Sequence, residues 1–233
     1  MPDFALLRQR INSIGITLIM LASYFGAFTL AWHGIAAEIS AREKLADALM
    51  LTHHAMELKF LAADFNGWQT AYAFDVVRDT PGAVEDDSKI RAAFLRSAND
   101  FREKLSDMPR GLLTSDEKSD LNKAKRAFEE FMRVDEQVIA AYRQGGAPNI
   151  QAATELVLGL EIDTFQEISN IISNLAASIL KRSEQASKEA SIASSESSGL
   201  FMGGALATLP LLFACILLVG RSFSDKPENH SRR

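Results

Sequence analysis

The sequence predicts an all-α protein: an antiparallel up-down four-helix bundle outside the membrane, flanked by two transmembrane helices. Three observations predict it. Residues 11–37 and 199–220 carry no charge. Three breaks, Pro81-Gly82, Pro109 with Gly111, and Gly145-Gly146 with Pro148, divide the intervening chain into four segments. Each segment spaces its apolar residues for one helix face, and none alternates apolar with polar as a strand would.

Both uncharged stretches reach the ~20 residues that a helix needs to cross a bilayer. We assign spans to 11–34 and 199–220. The first has an apolar centre, 14–32, of 19 residues. That exceeds the roughly 7–15 of a cleaved signal, and no A-x-A site follows. An uncleaved anchor is therefore the expectation over a signal peptide. In the membrane, Ala22 with Gly26 and Gly203 with Ala207 are small-xxx-small pairs that let backbones approach. Pro210 is expected to kink the second span.

Basic residues orient the chain. Arg8, Arg10, Arg221, Lys226, Arg232 and Arg233 lie beyond the spans, against Arg42 and Lys44 in the fifteen residues after the first span and Lys188 in the fifteen before the second. The excess places both ends, 1–10 and 221–233, in the cytoplasm and 35–198 outside, as in a multi-pass protein of a bacterial inner membrane. Residues 35–198 carry 19 basic and 27 acidic residues, a net of −8. That charge disfavours nucleic acid and anionic lipid surfaces as partners of the outer domain. Cys215 is the single cysteine and falls in the second span, so no intrachain disulfide can hold the bundle.

The four helices are placed at about 34–78, 87–108, 114–144 and 149–198. The first carries Leu58, Leu61, Phe65, Trp68, Tyr72 and Asp75 on a coiled-coil-like seam. The second presents Ile90, Phe94, Phe101, Leu105 and Met108. Thr114 and Glu117 form a capping box that starts the third, whose seam is Leu121, Ala124, Phe128, Phe131, Asp135, Val138 and Tyr142. The fourth presents Phe165, Ile168, Ile172, Leu175 and Ile179. Short connections make such helices up-and-down neighbours.

At ~1.5 Å per residue the first and fourth helices outrun the other two, about 65 and 75 Å against about 33 and 45 Å. The excess is expected to form a helical pair towards the membrane. Ala37, Ala41 and Ala48 on one helix and Ala186, Ala190 and Ala193 on the other supply small-residue seams. Such seams suit a signal-transmitting stalk whose helices slide at low cost; a solvated, frayed pair is the plainer reading.

No nucleophile elbow, P-loop or glycine fingerprint is present, so no enzyme activity and no cofactor are expected. His53 and His54 lie within one turn of Glu57, which could supply two metal ligands. A site needs a third from elsewhere, so no metal is assigned. The stretch 64–75 is unusual, with four aromatics, two amides and a mid-helix glycine. Counting back from the distal end puts Arg96 and Ser97, Asp135 and Gly159 level with Trp68 and Gln69. A carboxylate on a core seam must be paired or wet. Two readings follow: an Asp135–Arg96 pair that fixes register, or a polar ligand pocket formed by Trp68, Gln69, Arg96, Ser97 and Asp135.

The order of short basic N-terminus, span, four-helix domain and span resembles the sensor part of bacterial methyl-accepting chemotaxis receptors. So does the run Asn66-Gly67-Trp68-Gln69-Thr70-Ala71-Tyr72-Ala73, with Leu158-Gly159 and Phe165. The resemblance covers about 10–220. It implies chemotaxis-type signal transduction, a homodimer and an unidentified small-molecule ligand. Thirteen residues follow the second span, too few for the HAMP linker and signalling coiled coil of such receptors. The resemblance thus implies a sensor module acting through a separate receptor or signalling subunit. The alternative is a structural membrane protein whose bundle binds a protein partner and no small molecule.

Overall fold

The computed structural model describes residues 4–224. Side chains are described for 15, 17, 18, 20–204, 206, 208–210, 213 and 216. The elements are α1 (Phe4–Val77), α2 (Lys89–Asp107), a 3-10 turn (Arg110–Leu112), α3 (Ser115–Gln144), α4 (Ala147–Leu156), a π-helical turn (Val157–Glu161) and α5 (Ile162–Ser224). No strand occurs among the described residues. The π turn is flanked by right-handed helical backbone at Leu156 and Ile162, so α4, the π turn and α5 read as one rod. Four rods result, in the predicted order.

The chain divides into two compact units, 1–43 with 187–233, and 44–186. The 44–186 unit is the bundle. Its centre is Phe65, fully buried, whose ring centroid lies 5.1 Å from Phe101 of α2, 5.1 Å from Phe131 of α3 and 6.0 Å from Phe165 of α5. One side chain thereby meets all three other rods, in the edge and tilted geometries that the aromatic quadrupole prefers. Every predicted seam residue of α3 is buried, Asp135 included. On α5, Ile168, Ile172, Leu175 and Ile179 are buried and Phe165 half-buried.

On α1 the predicted seam is half right. Leu58, Phe65 and Tyr72 are buried, but the residues between them are Ala62 and Gln69, not Leu61 and Trp68. Both registers keep alternating 3 and 4. The structure takes the one whose small or amide side chains let neighbouring rods come close, and leaves Leu61 and Trp68 flanking the core.

The capping box at α3 is formed: Thr114 Oγ1 accepts from the Glu117 amide at 3.2 Å, and Glu117 Oε2 accepts from the Thr114 amide at 2.9 Å. Glu117 also takes a hydrogen bond from Ser178 and an ion pair from Arg182 of α5. Thr114→Ala is expected to cost about 1 kcal/mol, read as a drop in melting temperature with helix content unchanged. Gly145 and Gly146 turn the chain between α3 and α4 at φ 66° and 80°, where a side chain would strain the backbone.

In the unit of 1–43 with 187–233, a Cβ on Gly34 would meet Leu200 Cδ1 at 3.4 Å and Ser197 Cα at 3.5 Å, so these backbones pack closely. Ala41 and Ala193 are half-buried and Ala190 is buried. Ala48 and Ala186, in the bundle unit, are buried too. Ala37 is a correction: it is exposed, and Glu38 takes its place facing the other helix. From Gly34 the inward face steps to 38, 41, 45 and 48, a 4-3-4-3 spacing that passes over 37. Hydrogen bonds from Arg42, then Ser197, hold the Glu38 carboxyl below its usual range.

Among the described residues no helix is long and apolar enough to cross a membrane. Side chains at 11–14, 16 and 19 of the first assigned span, at nearly half of the second, Cys215 included, and in the ends 1–10 and 221–233 lie outside the described residues.

Candidate functional site

Two polar groups of side chains are built into the apolar bundle, one turn apart on α1. The deeper one crosses three rods. Arg91 of α2 grips Asp135 of α3 through both guanidinium ends, Nη1 to Oδ1 at 2.7 Å and Nη2 to Oδ2 at 2.8 Å. Tyr72 of α1 donates its hydroxyl to the same Oδ1. The guanidinium also lies 4.5 Å above the Tyr72 ring and 5.1 Å from that of Phe94. Burial alone would lower the Arg91 pKa; the bonds and charge of Asp135 outweigh it and raise it. Burial, then Asp135's charge, pushes Tyr72 well above the phenol range.

Asp135 is thus paired, but not with Arg96. Arg96 is exposed, and the partner is Arg91. The sequence did hold a signal for Arg91. It continues the buried α2 row Arg91, Phe94, Ala98, Phe101, Leu105 at 3-4-3-4 spacing. Ser97 is buried as expected, yet it donates to Asp64 of α1 at 2.5 Å. Trp68 packs against the core. Of the five predicted residues, Gln69 alone reaches the second polar group.

That second group faces a cavity of about 380 Å³ between α1 and the last rod. Its floor is Glu161, 1% exposed, with Gln69 Nε2 donating to Oε2. Glu161 Oε1 is buried without a hydrogen-bond partner. Asn66, Gln166 and Asn170 add amides; Thr70 and Ser169 add hydroxyls. Val157, Leu158, Ile162 and Phe165 form an apolar wall. Among the described residues no basic side chain lines the cavity. Burial, then the charge of Asp135, pushes the Glu161 carboxyl from 4.5 to about 9, so it is a neutral acid at pH 7.

Sequence reasoning missed Glu161 because the π turn hides it. Leu158 and Ile162, the residues an ideal helix would bury beside Phe165, are exposed at 68% and 45%. The extra residue in the turn rotates Val157 and Glu161 inward instead. The buried row Ala153, Val157, Glu161, Thr164, Ile168 opens with two steps of four. Such single π turns recur at functional sites. The predicted level of Gly159 was near the mark, since it lies inside the turn.

His53 approaches Glu57 at 3.5 Å, but Glu57 is engaged by Lys104 of α2. Among the described residues no three His, Cys, Asp or Glu gather as a metal site. Compared with known protein families, with curated proteins and with solved structures, the chain finds no match.

Proposed function

We propose that the protein is a membrane-anchored sensor module whose extracytoplasmic bundle takes up a small molecule in the cavity between α1 and the π turn. The observation that carries this reading is a buried, neutral acid with one unpartnered oxygen, lining a cavity of drug-like size. Burying such a group costs stability, and a strongly shifted acid in a cleft is a candidate functional group. The uncharged stretches 11–34 and 199–220 supply the anchors. The four-rod order supports the resemblance to chemotaxis receptor sensors, and with it a homodimer that signals through a separate subunit.

The test is melting of the purified full-length protein in nanodiscs against a panel of small metabolites. A specific ligand at 100 times its Kd should raise stability by about 3 kcal/mol. Ser169→Trp, which fills the cavity, should abolish that shift without lowering the basal melting temperature. A panel with no stabiliser counts against sensing. So does a shift that survives Ser169→Trp.

A second reading has its own support. Leu49, Met56 and Phe60 are exposed along α1 at steps of seven and four, 54%, 54% and 68%. Such a row on one helix face suits a protein partner. A stoichiometric membrane partner lost on Phe60→Asp, with no ligand response, would favour the structural role.

A further inference from the structure

The buried polar network around Arg91 is one positive charge short. Among the described residues Arg91 is the single buried base, and Asp135 takes both ends of its guanidinium. Glu161 is the second buried acid of this network. Its neighbours from the facing rods are Gln69 of α1, which donates one hydrogen bond, and Asp135 and Arg91 beyond it, whose charges act in opposite senses. Tyr72 and Tyr142 also feel Glu161, and burial keeps both phenols protonated. Among the described residues no base forms an ion pair with Glu161, and burial holds the free carboxyl as the acid.

Resting on the sensor reading above, we infer that the cavity takes a small organic ammonium ion, whose charged head pairs with the Glu161 carboxylate. The lining selects this class. A carboxylate or phosphate ligand would meet no base among the lining residues, and an ionised Glu161 would repel it. A bare metal ion would leave the apolar wall of Val157, Leu158, Ile162 and Phe165 without a partner. An ammonium on a short organic body uses both. Its N–H donors reach the carboxylate and the nearby amide oxygens of Asn66 and Gln69, and its carbon skeleton covers Phe165. Charge-assisted hydrogen bonds of this kind are about twice as strong as neutral ones.

The ligand enters as R–NH₃⁺, and Glu161 passes its proton to solvent as the ion pair forms. Burial keeps the acid protonated in the free state at neutral pH. Each binding event therefore releases about one proton, and affinity climbs roughly tenfold per pH unit from pH 6 to 8.

The experiment uses the full-length protein in nanodiscs and isothermal titration with ethanolamine, isobutylamine and benzylamine. Their neutral counterparts are ethylene glycol, isobutanol and benzyl alcohol. Runs in phosphate and in MOPS, neither of them a primary ammonium, give the protons released. At least one amine is expected to bind ten-fold or more tighter than its alcohol, with about one proton released and with affinity rising with pH. In Glu161→Gln that preference and the proton release disappear. An alcohol that binds as well as its amine overturns the ammonium assignment and leaves the cavity as a ligand site. Amine binding without proton release also overturns it. So does amine affinity unchanged by Glu161→Gln. If none of the six binds and the metabolite panel also yields no stabiliser, this inference and the sensor reading fall together.

Discussion

Asp135→Leu is expected to lower the stability of the bundle by about 3–5 kcal/mol, the usual cost of stripping one partner from a buried ion pair. Leucine fills most of the vacated volume, so the loss reports charge more than packing. Arg91 is left with a buried guanidinium whose remaining partner, Asp86, is largely exposed and shared with Arg143. The hydroxyl of Tyr72 loses its acceptor as well. Both stranded groups carry the full desolvation penalty. The triple variant Arg91→Met, Tyr72→Phe, Asp135→Leu removes every polar member together and is expected to recover most of the loss, since apolar groups of similar shape pack at no such cost. Melting curves of the wild type and the two variants check this. A triple variant no better than Asp135→Leu alone would show that the network contributes more than its own desolvation. In Asp135→Leu the charge that lifts Glu161 is also gone, so the pH transition of that acid should move down.

The second large effect is pH-dependent. Glu161→Gln is expected to stabilise the protein by about 3 kcal/mol at pH 7 and to change little at pH 4.5. The sign follows from the two states. Below pH 4.5 the carboxyl is protonated in both the folded and the unfolded chain, and it adds no pH dependence. Between 4.5 and about 9 the unfolded chain ionises while the folded one holds its proton. The unfolded state binds fewer protons there, so stability falls as pH rises, and the loss is complete above 9. Glutamine is neutral throughout and keeps the hydrogen bond with Gln69. Melting temperatures at pH 4.5, 6, 7 and 8 check the prediction. A difference between the two proteins that is flat across this range would refute a buried neutral acid. The wild-type residue is therefore a stability cost at neutral pH, which is the pattern expected when a position is kept for its chemistry.

Much of the bundle could be read from residue order alone. Breaks at Pro81, Pro109 and Gly145 fell between elements because proline and positive-φ glycine end helices. The row on α3 from Leu121 to Tyr142 was read without error, since its apolar side chains are large and regularly spaced. The site was less legible. Gln69 was found because amides amid four aromatics stand out. Asp135 was found because a charge on an apolar row needs an answer. Which arginine answers it depends on the offset between α2 and α3. That offset is set by the turns and by Phe94 and Phe101 packing beneath Phe65 and Phe131, and helix lengths do not give it to one turn.

The sequence alone determined the helices, their order, the capping of α3 and the uncharged stretches on which the membrane reading rests. Those properties come from neighbours along the chain: spacing at 3.6 residues per turn, caps and breakers. The tertiary structure alone decided that Arg91 closes on Asp135, that Glu38 displaces Ala37 and that a π turn brings Glu161 under a cavity. Each of these is a rotation or shift within a rod or between rods, fixed by how side chains from different rods fill the same volume. No local pattern records that competition.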